Sequence, residues 1–167
     1  MAATLTRLLR HLCQTDARTR FPAADMDRIA AAIGEGERRH RGEICFAVES
    51  TLPWWEVLRG IQARAKAEHA FGRLRVWDTA ANNGVLVYLL LADHHIEIVA
   101  DRGLSGLVSD AQWQGVCQLL EERLRNGDHA DAVIAAISGV SDLLAQHYPP
   151  LAGTVDEDEL PDRPVFL

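Results

Sequence analysis

The stretch "NNGVLVYLLLADHHIEIVADRG", residues 82–103, decides how this chain folds. Its first apolar run, 84–92, is hydrophobic on both faces, the pattern of a central strand covered by helices on each side. The second, 94–101, alternates, with Ile96 and Ile98 set against His95, Glu97 and Val99. Asp93 and His94 are too short a link for a parallel crossover, so the two runs are expected to pair as an antiparallel hairpin.

Upstream, "EICFAVES" (43–50) reads as a further strand, rich in β-formers at its centre. Pro53 opens a helix expected to run to about Phe71, with Leu58, Ile61, Ala65 and Ala70 or Phe71 facing inward. That helical crossover makes strand 43–50 parallel to the start of the hairpin, if the two neighbour in one sheet. The connection "LRVWDTAANNG" follows, with a brief extended piece expected at Leu74–Trp77. Nearer the start, residues 3–13 fit an amphipathic helix. Met26, Ile29, Ala30 and Ile33 mark a second, from Pro22 to about His40.

Downstream, Ser109 and Asp110 precede Gln112 at capping-box spacing. The helix they start presents Trp113, Val116, Cys117, Leu120 and Leu124, and is expected to end near Asn126-Gly127. Val133, Ile137, Val140 and Leu144 mark a last helix, stopping before Pro149-Pro150. The order is α, α, β, α, β, β, α, α. The fold class is therefore α/β, a small mixed β-sheet sandwiched between helices. Residues 1–20 read as an N-terminal helical extension, 21–150 as the α/β domain, and 151–167 as an acidic, mostly irregular tail.

The 167 residues suit one globular domain, 48% hydrophobic and 25% charged. Five acids and one base in the tail carry much of the net charge of −7, leaving about −3 elsewhere. No field strong enough to steer nucleic acid or anionic lipid is expected. The basic lean of the first twenty residues reads as a solvated helix face. The start has no secretory h-region, and no run approaches the ~18 apolar residues of a membrane span. Cys13, Cys45 and Cys117 are widely spaced, odd in number and without a CxxC, as reduced core residues would be. A soluble cytoplasmic protein with no membrane span and no nucleic-acid partner is the expectation.

Several ordered segments carry a family resemblance: "GEICFAVES", "RAKAEHAFGRLRVWDTAANNGVLVYLLLADHHIEIVADRGL", the "SDAQW" helix start, the "HYPP" stop and the ending "DELPDRPVFL". Over about residues 22–150 the chain resembles the TPM domain family, named after a thylakoid phosphatase-like protein, and its small bacterial members in particular. The resemblance implies an α/β sandwich. It also implies divalent-ion binding, calcium included, as in some members, and acid phosphatase activity as assigned to a plant lumenal one. Many members are exported or membrane-anchored; this sequence departs from them in showing neither signal nor span.

The hairpin's topology nominates a site. Asn82 and Asn83 begin its first strand and Asp101 ends its second, so all three belong at one edge of the sheet. The flanking loops add Asp78 and Thr79 before, and Ser105, Ser109 and Asp110 after. Three carboxylates and two carboxamides without His or Cys suit a hard cation, Ca²⁺ or Mg²⁺, rather than Zn²⁺. Asp78, Asn82, Asn83, Asp101 and Asp110 are the expected metal ligands, and in the family the matching positions fall in its most motif-like stretches. The competing reading is structural: Asn-Asn-Gly as a turn, Asp110 as a helix cap, Asp101 paired with Arg102. No D-x-D-x-D-G loop is present, so affinity should be modest, and no organic cofactor is expected.

The opposite edge holds Glu49, Asp93 and His94, where open α/β sheets bind ligands. His94 and His95 point to opposite faces of a strand and read as surface turn residues. No G-x-S-x-G elbow, C-x5-R loop or G-x4-G-K-[ST] cradle occurs, so no catalytic residue is assigned. Cys45 sits in an apolar strand as an inert thiol, and Trp54-Trp55 are expected to pack under the sheet rather than form a partner patch. Two functions compete. The favoured one is a Ca²⁺- or Mg²⁺-binding interaction or accessory module with a protein partner. The alternative is a metal-dependent, acid phosphatase-like hydrolase of phosphate monoesters.

Overall fold

The hairpin forms where its apolar runs put it. In the structure, a computed structural model described for residues 2–125, 127, 129–151 and 159–167, the strands are β1 (Glu43–Glu49), β2 (Gly84–Leu90), β3 (His95–Ala100) and a short β4 (Val165–Phe166). Their order is β3-β2-β1-β4. β2 pairs antiparallel with β3, from Val85 opposite Ala100 to Leu90 opposite His95. β1 runs parallel to β2, Glu43 opposite Gly84, as the helical crossover requires. A tight turn at Leu91–Asp93 closes the hairpin, with His94 in the left-handed region at φ 50°.

Every residue of β2 is buried. Val85, Val87 and Leu89 enter one core while Leu86, Tyr88 and Leu90 enter the other, which is the two-residue period of a strand covered on both faces. On the first face pack α3 (Ala23–Glu37), α6 (Asp110–Arg125) and α7 (His129–His147), through residues such as Ile29, Leu120 and Ile137. On the second lie α4 (Trp54–Leu58) and α5 (Ala63–Arg73), through Val57, Ala67 and Ala70. α1 (Ala2–Cys13) packs against α4, and the single turn α2 (Ala17–Arg20) links it to α3. Among the described residues no helix is long and apolar enough to cross a membrane.

Four expectations need correction. The helix expected over 53–71 is two helices, parted at Gly60, whose φ of +71° an L side chain resists. The break resets the helical phase, so Ala63, Ala67 and Ala70 face inward while Leu58 and Ala65 are exposed. Leu74–Trp77 is a turn with Arg75 at φ 59°, not an extended piece. Trp54 and Trp55 are 57% and 48% exposed rather than packed under the sheet, because five-residue α4 turns only Val57 into the core.

The fourth correction concerns Cys13, which was expected in the core and is exposed. The tail, expected to be mostly irregular, ends on two paired residues: β4 lies parallel to β1, and the Leu167 N–H donates to Val48 O at 3.0 Å. Leu160 is buried and its N–H donates to Glu43 Oε2 at 3.1 Å. Asp156, Glu157 and Asp158 of the acidic run, and the expected helix end at Asn126, lie outside the described residues.

Candidate functional site

At the edge where β2 begins and β3 ends, two glycines allow the backbone to close up. A Cβ on Gly84 would stand 2.0 Å from Val76 O, and one on Gly103 would stand 2.4 Å from Asn82 O. The Gly103 N–H donates to Asn82 O and the Asp101 N–H to Gly84 O, each at 2.9 Å. Asn82 takes φ 53°, which Asn tolerates better than most residues, and its Oδ1 accepts from Arg102 Nε at 2.9 Å. Asn83 is buried. Its Nδ2 donates to Arg41 O, while its Oδ1 has no partner.

Asp101 caps the turn Arg102–Leu104: its Oδ1 accepts the Arg102 N–H at 2.7 Å. Its Oδ2 is buried without a hydrogen-bond partner. Beyond it opens a cleft of about 680 Å³, whose walls include Asp101, Asp110, Glu97, Ser105, Arg64 and Arg102. Asp110 comes from the first turn of α6. The capping box is real but belongs to Ser109, whose N–H donates to Gln112 Oε1 at 2.9 Å while its Oγ accepts the Gln112 N–H at 3.3 Å. Asp110 is thereby spared the capping role and left in the cleft wall.

The five residues nominated from sequence therefore divide. Asn82, Asn83 and Asp101 meet at one sheet edge, and Asp101 and Asp110 share the cleft. Asp78 stands apart, exposed and paired with Arg75 at 3.1 Å, because that arginine lies three residues back on the same turn. Asn82 Oδ1 is committed to Arg102. Among the described residues no three His, Cys, Asp or Glu side chains converge as metal ligands. The five nominated residues therefore do not close into one cage.

The cleft's arginines are engaged elsewhere. Arg64 Nε donates to Glu68 Oε1 and its Nη1 to Ile98 O, both at 2.8 Å. Cys117, also in the wall, is pushed up to about 12 by burial and then by Glu97 and Glu121. Cys45 is likewise raised to about 12 by burial and then Glu37. Neither thiol is poised as a thiolate near neutral pH.

The opposite edge is bound up in structural contacts. Arg7 donates to Asp93 from Nη2 at 2.7 Å and from Nε at 2.9 Å, with Arg10 and His11 at 3.5 and 3.3 Å. Burial pushes the Asp93 carboxyl up, but Arg7 outweighs it and holds the group below its usual value. Tyr88 donates to Glu49 Oε2 at 2.5 Å, and Lys66 lies 3.4 Å from Glu49 Oε1. His95 sits between Glu97 and Glu121, at 3.0 and 2.8 Å. Sequence reading missed the Arg7, Arg10 and His11 set. Their spacing of three and four on one helix face was the available signal.

These features define a class: a mixed four-stranded sheet between two helical layers, with a polar cleft at the edge where the hairpin ends. The chain belongs to the TPM domain family, which matches residues 15–143. It is similar to the NMR structure of BA42 protein from Bizionia argentinensis, a psychrophilic bacterium, at 26% identity over 87% of this chain and 94% of that one, with a TM-score of 0.76. It shares its fold with the N-terminal domain of cg2496 protein from Corynebacterium glutamicum, at 14% identity over 85% and 84% of the two chains, with a TM-score of 0.60. No curated protein matches the chain.

Proposed function

We propose that this TPM domain is an interaction or accessory module whose cleft takes up Ca²⁺ or Mg²⁺ weakly at Asp101 and Asp110, with a protein partner reading the cation-ordered loop. One observation carries the reading: Asp101 Oδ2 is buried without a partner in a residue that lines the cleft. A buried carboxylate oxygen lacking any donor costs free energy that a cation offsets. The donors are oxygens only, which favours Ca²⁺ or Mg²⁺ over softer metals. With two carboxylates in place of a cage, affinity is modest.

The hydrolase alternative has less support. The thiol in the cleft is held protonated, and among the described residues no histidine hydrogen-bonds a serine hydroxyl there. Thermal unfolding with and without millimolar Ca²⁺ or Mg²⁺ tests the proposal. The intact protein should gain stability by linkage, and Asp101→Asn, which keeps the cap on Arg102, should lose that gain. Metal-dependent hydrolysis of p-nitrophenyl phosphate, abolished by Asp101→Asn, would instead favour the hydrolase.

A further inference from the structure

Six large apolar side chains stand exposed on two neighbouring helices: Leu5, Leu9 and Leu12 on α1, and Trp54, Trp55 and Leu58 on α4. On α1 the spacing of four and three places its leucines in one stripe, opposite the Arg7 side that grips Asp93. The tryptophan rings meet edge to face at 5.8 Å. Scattered exposed leucines need no explanation, whereas an apolar cluster on adjoining elements marks a binding surface.

Charge says what covers it. The net charge of −7 conceals a division between the two helical layers. On the layer of α1, α4 and α5 lie five bases and two acids, Glu56 and Glu68; on the layer of α3, α6 and α7 lie three bases and nine acids. Of the five bases, Arg7 and Arg10 are already ion-paired with Asp93, Arg64 with Glu68, and Lys66 with Glu49 and Glu56. Arg10 and Arg59, next in the chain to Leu9 and Leu58 of the apolar cluster, are exposed. A second copy docked through the same face would bring these arginines up against their own counterparts. An anionic surface is attracted, with the acidic layer turned away from it.

We propose that the α1–α4 face docks on an anionic lipid bilayer, the leucine stripe and tryptophan pair entering the interface and the arginines meeting the headgroups. An amphipathic helix with an apolar leucine face and basic flanks lies in the plane of such an interface, and tryptophan partitions to headgroup level. The contact is peripheral. It is independent of the cation reading, since Asp101 and Asp110 stand at the end of β3 and the start of α6, outside the α1–α4 face.

Vesicle co-sedimentation of the intact chain tests this, with vesicles of phosphatidylcholine alone and of phosphatidylcholine mixed equally with phosphatidylglycerol. The expected result is binding to the mixed vesicles, a blue shift of tryptophan emission, and loss of both in high salt. The double variant Leu9→Glu, Trp55→Glu should bind about tenfold more weakly or not at all. Arg59→Glu should weaken binding about fivefold or more. Both variants alter exposed residues, so unchanged melting temperatures verify that they fold. Failure to bind mixed vesicles, or equal binding by the double variant, overturns the proposal. So does a concentration-dependent dimer that the double variant dissolves, which would make a second copy the occupant.

Discussion

Arg7 and Asp93, 86 residues apart, meet at 2.7 Å and tie α1 to the turn between β2 and β3. Both side chains are largely shielded from water. The contact holds α1 in place where apolar packing is thin, since among the described residues Leu8 is the one hydrophobic of α1 packed against the second core. Arg7→Ala is expected to destabilise the protein by about 2 kcal/mol, because it strips the main partner from a shielded carboxylate. Urea unfolding measures this, and limited proteolysis should release the N-terminal helix first. An unchanged midpoint with an equally protected helix would contradict the role given to this pair.

The tail supplies a second prediction. Removing residues 160–167 strips β4 from the edge of β1, takes buried Leu160 out of the core and takes a donor from Glu43. The expected loss is about 2–3 kcal/mol, from one buried leucine and a few hydrogen bonds. A truncated chain that melts at the temperature of the intact one would mean that the tail does not dock in solution.

Stability should depend on pH in two directions. Burial, with Glu43 and Asp162 adding negative charge nearby, raises Glu37 to about 9. A carboxyl raised in the folded state binds its proton more tightly there, so its contribution is lost as pH climbs from about 4.5 toward about 9. Burial lowers His40 from 6.5 to about 4, so stability is lost as pH falls through that window. Glu37→Gln keeps the shape without the ionisation and should be the more stable form at pH values near 8. Equal alkaline slopes for the two proteins would show that Glu37 is not the group responsible.

Gly84 is expected to tolerate no side chain. Alanine there would drive its Cβ into Val76 O at the base of the hairpin, a backbone contact that cannot swing aside. Gly84→Ala should cost about 3 kcal/mol or prevent folding. Gly115, with open space around it, serves as the control that should accept alanine.

Why the hairpin was legible and α4 was not is a matter of period. A strand buried on both faces leaves a long apolar run whose short link at Asp93 and His94 fixes the pairing. α7 was equally clear, because Val133, Ile137, Val140 and Leu144 all enter the core. The crossover misled because a single glycine with positive φ reset its phase, and helical periodicity cannot count across such a break. β4 was hidden by its length: two residues carry no alternation, and only the exposed edge of β1 selects them. At the candidate site the sheet edge was predictable from topology alone. The division of ligands was not, since it depends on local rivals: Arg75 takes Asp78, Arg102 takes Asn82, and Ser109 relieves Asp110 of capping.

The most direct test of the cation reading is an amide NMR titration of the intact chain with Ca²⁺ and Mg²⁺. Shifts should gather on residues 101–110 and on the adjoining 82–84, saturate in the millimolar range, and vanish in Asp101→Asn and Asp110→Asn. Shifts scattered over the acidic layer without saturation, or an undisturbed 101–110 loop, would contradict it.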